Sequence, residues 1–526
     1  MLPNSTLHKA FPVALLGLIG LFGFLGLALS PMEAWCQTPD VAPTSPATTS
    51  PATEECLGCH ASIHPGIVEA WQASRHAATT PARGLKRSEL ERRVNGAVPE
   101  GLREVSVGCA ECHTARAEKH AGSFEHNGYQ VHAAVSPDDC GLCHGEERRQ
   151  FAANVMSHAH GNLAGNPVFG QLMQAINGSP HLKEGKLSFA EPEQATQDQA
   201  CFSCHGTRLS VTGTVTRETV QGEMDFPIIK GWPNRGVGRV NLDGSLGACS
   251  ACHTRHAFSI KEARSPYTCK ECHEGPDVPV YYVYAASAHG KIHAALGKDW
   301  NYEAVPWTVG RDFTAPTCAA CHVSLLVDTE GSIVAKRTHR MNDRLAWRLF
   351  GLVYAHPHPL KPDTTIIRNG QGLPLPADLD GKFAANFLAD AAERDRRAKA
   401  MQQSCTACHD SSWIKGHWEH FEHAVRETNE KTARITDIMQ EIWAKGLAQG
   451  PGKGPGQGGN LFDEYPERIW SDAWLFYANS IRYAAAMAGG GDYGVFEKGR
   501  YHLSRSASEL HDWLELRQLL TNAKEP

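Results

Sequence analysis

Cysteine and histidine recur in this chain at a spacing that could attach a metal-bearing group. Sixteen of the 17 cysteines lie in eight copies of the pattern Cys-x-x-Cys-His, of which chance would give only about 0.03 in a chain of this length. In this pattern the cysteines form thioethers with the vinyl groups of a c-type haem, and the histidine ligates the haem iron. Zinc sites and disulfides are the alternative, but neither requires a histidine after every second cysteine. The sequence therefore predicts eight c-type haems.

The predicted attachment residues run in order along the chain. The attaching cysteines are Cys56, Cys59, Cys109, Cys112, Cys140, Cys143, Cys201, Cys204, Cys249, Cys252, Cys269, Cys272, Cys318, Cys321, Cys405 and Cys408. The proximal iron ligands are His60, His113, His144, His205, His253, His273, His322 and His409.

These haems must share one protein shell. With 526 residues and eight motifs, the chain has about 66 residues per haem, too few for eight separate cores. Each porphyrin is a large apolar body that can replace core side chains, which agrees with a modest hydrophobic content of 41%. We therefore expect a mainly α multihaem cytochrome c with closely packed haems and a long C-terminal helical bundle. The net charge of −6 gives no basis for a nucleic-acid partner.

The N-terminus has the pattern of an exported protein. Lys9 precedes an apolar run over residues 11–29, and small residues suited to cleavage follow it. Because a run of this length can also just span a bilayer, residues 1–34 are predicted to be a signal peptide or an N-terminal membrane anchor. Either one places the haems in the periplasm or another extracytoplasmic compartment. Residues 35–55 form a Pro/Thr/Ala-rich tether in which Cys36 is incidental.

Two further domains are predicted. Residues 56–410 form an octahaem domain, and residues 411–526 form a C-terminal helical bundle without haem, which we interpret as a packing and oligomerisation element. Within the haem domain, residues 206–248 lack histidine and are rich in Gly, Thr and Val, which predicts a loop or hairpin insertion. Apolar residues at helical spacing predict C-terminal helices over 413–447, 464–487 and 493–520.

The histidines outside the motifs determine which haem irons have a second protein ligand. Eight of the 28 histidines belong to motifs, so 20 remain. An iron with a second imidazole is an electron carrier, whereas an iron without a sixth protein ligand can bind a small molecule. The count alone does not show which irons are open.

The arrangement of motifs resembles a known family. The close pair CSACHTRH…ARSPYTCKECHEGPD…SAHG, a later CAACH with a following Thr338-His339, and a long helical C-terminus are similar to the hydroxylamine oxidoreductase family of octahaem cytochromes c. The likeness covers residues 56–492 and is strongest over 249–321. It implies a homotrimer, an open catalytic haem on the fourth motif with His205, and bis-His electron carriers at the other motifs. The distal ligands that it implies are His64, His76, His126, His158, His256, His289 and His339, with His132 as the rival of His126.

The same resemblance implies which residues face the open haem. The family places an Asp-His pair just after the sixth motif, where it accepts protons from iron-bound substrate. This chain has Asp277 there, followed by Val278 instead of histidine. Oxidative members also cross-link a tyrosine from a neighbouring subunit to the catalytic porphyrin, and Tyr493 is the best local match. The candidate catalytic residues are therefore His205, Asp277 and Tyr493.

Two functions remain open from the sequence. The first is an oxidoreductase of a small inorganic nitrogen compound (hydroxylamine, nitric oxide or nitrite) that exchanges electrons with a partner cytochrome or quinone-linked protein. Arg208 and Arg235 are candidate charge partners for an anionic substrate. The second is a non-catalytic electron conduit with all haems bis-His, which the missing imidazole favours. In that case His160, His293 or His423 would complete the fourth haem.

Overall fold

The computed structural model of this protein describes residues 47–183, 185–451 and 459–523. These residues belong to one unit, Pro46–Pro526, and the predicted signal peptide or anchor and Cys36 lie outside the described residues. Within the described ranges, no helix is long and apolar enough to cross a membrane. The described strands form only small sheets of two or three strands, which confirms the predicted mainly α fold.

The helices range from single turns to a long C-terminal rod. Up to the fourth motif they are α1 (Pro51–Ile63), α2 (Pro65–Gln72), α3 (Arg75–Ala78), α4 (Pro81–Leu85), α5 (Cys109–His113), α6 (Pro137–Cys140), α7 (Gly145–Ala152), α8 (Ala159–Ala164), α9 (Pro167–Asn177), α10 (Gln194–Gln199) and α11 (Cys201–His205). After it they are α12 (Ile260–Arg264), α13 (Pro266–Lys270), α14 (Val280–Ala286), α15 (Ala288–Leu296), α16 (Cys318–His322), α17 (Ala391–Gln402), α18 (Ser411–Ala444), α19 (Tyr465–Asp472), α20 (Ala478–Ala486) and α21 (Arg500–Asn522).

Three haem motifs form a single helical turn each, namely α5, α11 and α16. Residues three and four positions apart share one face of a helix. Both cysteines and the histidine of such a motif therefore point to the same side. This placement suits a porphyrin that is held by two thioethers and an axial imidazole.

Helix α1 begins inside the segment that we predicted to be a tether. The hydroxyl of Ser50 accepts a hydrogen bond from the backbone N–H of Thr53, and Pro51 occupies the first turn. A serine cap and an early proline both favour a helix start. The first motif is therefore carried on this helix, and only the described residues 47–50 precede it without regular structure.

The strands form hairpins at the edges of the haem-bearing part. The described strands are β1 (Phe124–His126), β2 (Tyr129–Val131), β3 (Pro180–Lys183), β4 (Lys186–Phe189), β5 (Ser210–Thr219), β6 (Gly222–Lys230), β7 (Trp307–Thr308), β8 (Leu326–Val327), β9 (Ile333–Ala335), β10 (Trp347–Arg348) and β11 (His356–Pro357). Strands β5 and β6 pair antiparallel over almost their whole length, so the predicted hairpin insertion is present. The short strands β10 and β11 pair Arg348 with His356.

The predicted C-terminal helices are present with different ends. Helix α18 begins after Asp410, whose carboxylate accepts hydrogen bonds from the backbone of Ser412 and Trp413. Helices α19 and α20 are joined by a π-helical turn, Ala473–Tyr477, so the helix predicted over 464–487 is one run. Helix α21 begins later than predicted, because Gly491–Gly494 forms a separate 3-10 turn.

The largest core cluster joins these helices to the loop that precedes them. Helix α18 contributes Met439 and Ile442, and the π-helical segment and α19 contribute Trp474 and Trp470. Residues 352–354 of the loop belong to the same cluster. Burying side chains of this size stabilises the fold by roughly 1.5–3 kcal/mol each. The C-terminal helices are therefore packed directly against the loop that leads into β11.

Candidate haem centres and active site

The motif residues fit covalently attached haem. All sixteen motif cysteines are free of disulfides. The Nδ1 atom of His113 donates to the carbonyl oxygen of His132 (2.8 Å), and Nδ1 of His144 donates to that of Arg93 (2.8 Å). Because a carbonyl can only accept, the proton is on Nδ1 and the lone pair on Nε2 is free for iron.

The motifs are close to one another. Cysteine sulfurs from different motifs lie beside one another, which brings the third motif next to the fifth, the fourth next to the sixth and the sixth next to the seventh. These pairs are Cys140 with Cys249, Cys204 with Cys272, and Cys269 with Cys318. Haems attached at such neighbouring sites lie at short range, as the predicted closely packed array requires. The fourth motif joins this array through the sixth.

Four motif histidines face a second imidazole at a distance that suits one iron between them. Metal–imidazole bonds of about 2 Å place the two ring centres about 6 Å apart. The pairs are His60 with His126 (6.1 Å), His144 with His76 (6.1 Å), His113 with His256 (6.4 Å) and His409 with His289 (6.1 Å).

A fifth motif histidine has a predicted ligand near it. Burial and the charge of His253 lower the pKa of His339 to about 4. The backbone N–H of His339 donates to Gln150 Oε1 (2.7 Å), which holds this segment beside α7. Both imidazoles are therefore neutral near pH 7, as iron ligands must be.

The candidate ligands His132, His64 and His158 have other neighbours in this structure. His132 stacks on His120, with ring centres 3.7 Å apart, and its carbonyl supports His113 from behind. His64 lies beside His60 on the same side of the chain, with 2.9 Å between their Nδ1 atoms. His158 donates from Nε2 to the carbonyl oxygen of Ala152 (3.1 Å). In this structure His126 rather than His132 stands opposite His60, and neither His64 nor His158 faces a motif histidine from another segment.

The fourth motif differs from these pairs. Among the described residues, His205 belongs to no pair of neighbouring imidazole rings, and the same is true of His253, His273 and His322. The His205 ring donates to the carbonyl oxygen of Ala159, and His160 Nδ1 donates to the carbonyl oxygen of Gly206 (2.7 Å). This bond holds His160 against the backbone of the fourth motif and leaves its Nε2 without a proton. His293 packs against Trp300, with ring centres 5.5 Å apart, so it does not complete this centre.

The backbone around the fourth motif approaches a second loop very closely. Gly206 has φ +89°, and a Cβ there would lie 2.2 Å from the backbone nitrogen of Arg239. A Cβ on Gly238 would lie 2.6 Å from the carbonyl oxygen of His205. Only glycine fits at both positions. The close approach fixes the orientation of His205.

Asp277 lies near the fourth and sixth motifs. Burial lowers the pKa of His205 and of His273, and the negative charge of Asp277 opposes both shifts. The Asp277 carboxylate makes no hydrogen bond or ion pair with another described residue. Val278, at the position where histidine is expected, is half-buried and apolar. The loop therefore brings one carboxylate, without an imidazole, towards the candidate catalytic centre.

Three residues that sequence reasoning missed surround the same centre: Arg348 on β10, His356 on β11 and Tyr483 on α20. Burial and the charge of Arg348 lower the pKa of His356 to about 3. Burial raises the pKa of Tyr483, and Arg348 opposes that shift while Asp277 adds to it. The charge of Arg348 also lowers the pKa of His205. The only sequence signal was the His356-Pro-His-Pro run.

Helix α20 is tied to this pocket by buried amides. Asn479 Nδ2 donates to the carbonyl oxygen of Asp277 (3.0 Å), and its Oδ1 accepts from Arg482 (3.1 Å). Arg482 also donates to Asn429 Oδ1 (2.7 Å), whose side chain bonds the backbone of Ala355 beside His356 (2.8 and 3.1 Å). One network therefore holds the Asp277 loop, α20, α18 and β11 together.

The remaining candidates lie on the surface of a single chain. Tyr493 stacks on Tyr282 with ring centres 6.4 Å apart and shares a hydrogen bond with Ser480; no described contact joins it to His205. Arg208 is exposed. Arg235 is exposed and lies 3.8 Å from Glu271. Arg239 also lies beside the fourth motif, but it is bonded to Asn241 and to the backbone of Val135.

The chain matches several known multihaem proteins. The family model for seven times multi-haem cytochrome CxxCH matches residues 236–346, and that for cytochrome c554 and c-prime matches 55–145. A solved hypothetical multihaem protein is 37% identical with TM-score 0.83, over 91% of this chain and 98% of that chain. A reducing hydroxylamine oxidoreductase-like complex of Kuenenia stuttgartiensis has TM-score 0.57 at 18% identity, over 90% of this chain and 87% of that chain.

A curated relative extends the comparison. A probable nitrite reductase-hydroxylamine oxidoreductase fusion protein of Kuenenia stuttgartiensis is 26% identical over 322 residues. The match covers 54% of this chain and 35% of the relative. Fold and attachment motifs together define a multihaem cytochrome c. Within that class, the chain is similar to hydroxylamine oxidoreductase-like proteins.

Proposed function

We propose that this cytochrome is an oxidoreductase of a small inorganic nitrogen compound, with its open iron at the motif of Cys201, Cys204 and His205. The observation that supports this choice is that His205 faces no second imidazole among the described residues, unlike four other motif histidines, and that the charges of both Asp277 and Arg348 affect its pKa. His253, His273 and His322 also lack a paired ring, but none of them is affected by both charges. An iron with an open sixth position can bind a small ligand. The family relatives named for hydroxylamine and nitrite chemistry agree with this assignment.

The surrounding side chains supply the conditions for that chemistry. When bound, the haem iron would hold the nitrogen compound and exchange electrons with it. Asp277 is placed to take or give a proton. Tyr483 stays protonated near neutral pH, because burial raises its pKa, and so it can donate a hydrogen bond. His356, with a pKa lowered to about 3, is neutral.

The other haems carry the electrons. The thiol contact between Cys204 and Cys272 joins the fourth motif to the sixth, and Cys269 with Cys318 continues to the seventh. The sixth motif would therefore hold a haem next to that of the fourth motif, and this haem would supply a route for electrons to or from the catalytic centre. We expect eight haems in total and a redox partner, either a cytochrome or a quinone-linked protein, at the outer end of the array.

The reductive direction, on nitrite or nitric oxide, fits the pocket better than hydroxylamine oxidation. Val278 leaves the loop without the imidazole base that oxidation uses. Within one chain, Tyr493 contacts Tyr282 and Ser480 rather than the fourth motif. We also propose export to the periplasm, by a signal peptide or an anchor, and a homotrimer, both on the sequence pattern and the family resemblance.

Electron paramagnetic resonance of the oxidised protein tests this function. One high-spin ferric haem beside low-spin haems is expected, and nitrite should change the high-spin signal. If every haem is low-spin, the chain is the electron conduit that the sequence left open. Haem staining of cell fractions and native mass measurement would test the export and the trimer separately.

A further inference from the structure

Arg348 is an unusual arginine in this fold. Five arginines are fully buried in the described part of the chain, and each of their guanidinium groups donates at least one hydrogen bond to a carbonyl, amide or carboxylate oxygen. These are Arg239, Arg264, Arg344, Arg397 and Arg482. The Arg348 guanidinium makes no hydrogen bond and no ion pair with any described residue. Its Cζ atom lies 6.0 Å from the centre of the Phe350 ring.

No described carboxylate pairs with Arg348, although Asp277 affects the pKa of two residues that Arg348 also affects, His205 and Tyr483. Strand pairing sets Arg348 opposite His356. The charge of Arg348 also lowers the pKa of His205, His358 and Tyr483. These are imidazoles and a phenol, all neutral near pH 7. Burial lowers the pKa of Arg348, but a guanidinium stays charged in proteins. Arg348 is half-buried, and a charge that loses solvation without gaining a partner is costly, so its guanidinium is available to an anion from outside.

We propose that Arg348 binds the anionic substrate of the His205 centre, so that the site selects a small planar oxyanion such as nitrite over neutral hydroxylamine. A guanidinium presents its N–H groups as a planar fork, which matches two oxygens of such an anion. The Tyr483 hydroxyl adds a neutral donor from α20. This inference rests on the proposed function, because it requires an open iron at the fourth motif.

One other anion could occupy the same place, namely a propionate of the haem itself. The two sources differ in what depends on Arg348. A substrate contact affects anionic ligands alone, whereas a propionate contact affects the haem whatever ligand is present. The substrate assignment is favoured because α20, which carries Tyr483, donates hydrogen bonds to the carbonyl oxygen of Asp277 (3.0 Å) and to that of Leu349 beside Arg348 (3.5 Å). This helix thus holds Asp277 and Arg348 near each other, and the charges of both affect the pKa of His205.

The test compares ligand affinities of the purified holoprotein. Nitrite is titrated into the ferric protein and carbon monoxide into the fully reduced protein, both followed by absorbance. In Arg348→Gln the Kd for nitrite should rise about 10- to 100-fold, as for loss of a charge-assisted hydrogen bond, while the Kd for carbon monoxide stays within about twofold. Arg348→Lys, which keeps the charge but not the fork, should lie between. Arg434→Gln removes an exposed arginine that pairs with Asp437 on α18 and should change neither affinity.

Each other outcome has a definite meaning. An unchanged nitrite Kd in both Arg348 variants overturns the inference. A loss of haem content, a shifted midpoint potential, or parallel weakening of nitrite and carbon monoxide assigns Arg348 to a propionate and also overturns it. If the wild-type protein binds neither ligand, the proposed function fails as well. Binding of carbon monoxide without nitrite would keep the open iron but reject the anion site.

Discussion

Replacing Asn479 with alanine should disturb the Asp277 loop while leaving the haems attached. The side chain is fully buried, and it donates to the Asp277 carbonyl oxygen (3.0 Å) and accepts from Arg482 (3.1 Å). A neutral hydrogen bond contributes about 1 kcal/mol and one to a charged group about 1.5–3 kcal/mol. The substitution should therefore weaken this network by about 3 kcal/mol.

The loss falls mainly on the loop, because Arg482 keeps its bond to Asn429 (2.7 Å) and α20 keeps its apolar packing. Local opening that is easier by about 3 kcal/mol corresponds to roughly 100-fold faster amide exchange. Hydrogen exchange followed by mass spectrometry of peptides over 274–282 measures this directly. Nitrite turnover should fall about 10-fold or more, since Asp277 is no longer held in place.

Asn460→Ala is the matched control. Asn460 also joins two distant segments, since its Nδ2 donates to the carbonyl oxygen of Gln171 (2.9 Å), but it has no described contact with the Asp277 loop. In this variant, amide exchange over 274–282 and nitrite turnover should equal those of the wild-type protein. Wild-type exchange and turnover in Asn479→Ala, with intact haem content, would refute the idea that α20 positions Asp277.

Three further expectations concern other residues. Replacing His205 with alanine should abolish ligand-induced absorbance changes while most haem absorbance remains, and retained binding would move the open iron to another motif. Peptide mass spectrometry should find Tyr493 unmodified, whereas a porphyrin adduct, removed in Tyr493→Phe, would favour the oxidative direction. Burial raises the pKa of Glu467 from 4.5 to about 7, so the folded protein keeps a proton that the unfolded chain releases over that window, and stability falls as pH rises through it. Glu467→Gln should therefore gain about 3 kcal/mol of unfolding free energy at pH 8 relative to pH 5, and equal gains in denaturant titrations at both pH values would contradict this.

The sequence predicted the haem motifs and the main helices because both are encoded locally. The Cys-x-x-Cys-His pattern fits within one helical turn, as in α11, and the spacing of apolar residues defines α18. The start of α21 was missed, because the Gly491–Gly494 turn interrupts the helical pattern and a run of glycines can adopt several backbone conformations. Local patterns therefore predicted which elements exist, but not all of their ends.

The partners of the motif histidines were harder to predict. His113 faces His256, and His289 faces His409, although each pair is far apart along the chain. No spacing rule links such residues, since their separation depends on how the haems stack. The arginine of the pocket was missed for the same reason. Nothing in the local sequence distinguishes Arg348 from the arginines that are bonded within the protein.

The role of the C-terminal helices is broader than the packing function that we had predicted for them. Asn479, Arg482 and Tyr483 lie three and four positions apart on α20, and so share one face of that helix. Two of them hold the Asp277 loop and the third is a phenol beside the same centre. The helix thus supplies a proton donor next to the position where Val278 has replaced a base.

This replacement bears on the direction of the reaction. Oxidation of hydroxylamine to nitrite with water releases five protons and four electrons, so the pocket must accept protons repeatedly. A phenol whose pKa is raised by burial and an imidazole whose pKa is lowered to about 3 are both poor acceptors near pH 7, which leaves Asp277 alone for that task. The reverse process consumes protons, and a protonated phenol and a free guanidinium suit a bound oxyanion. The chemistry of the pocket therefore agrees with reduction.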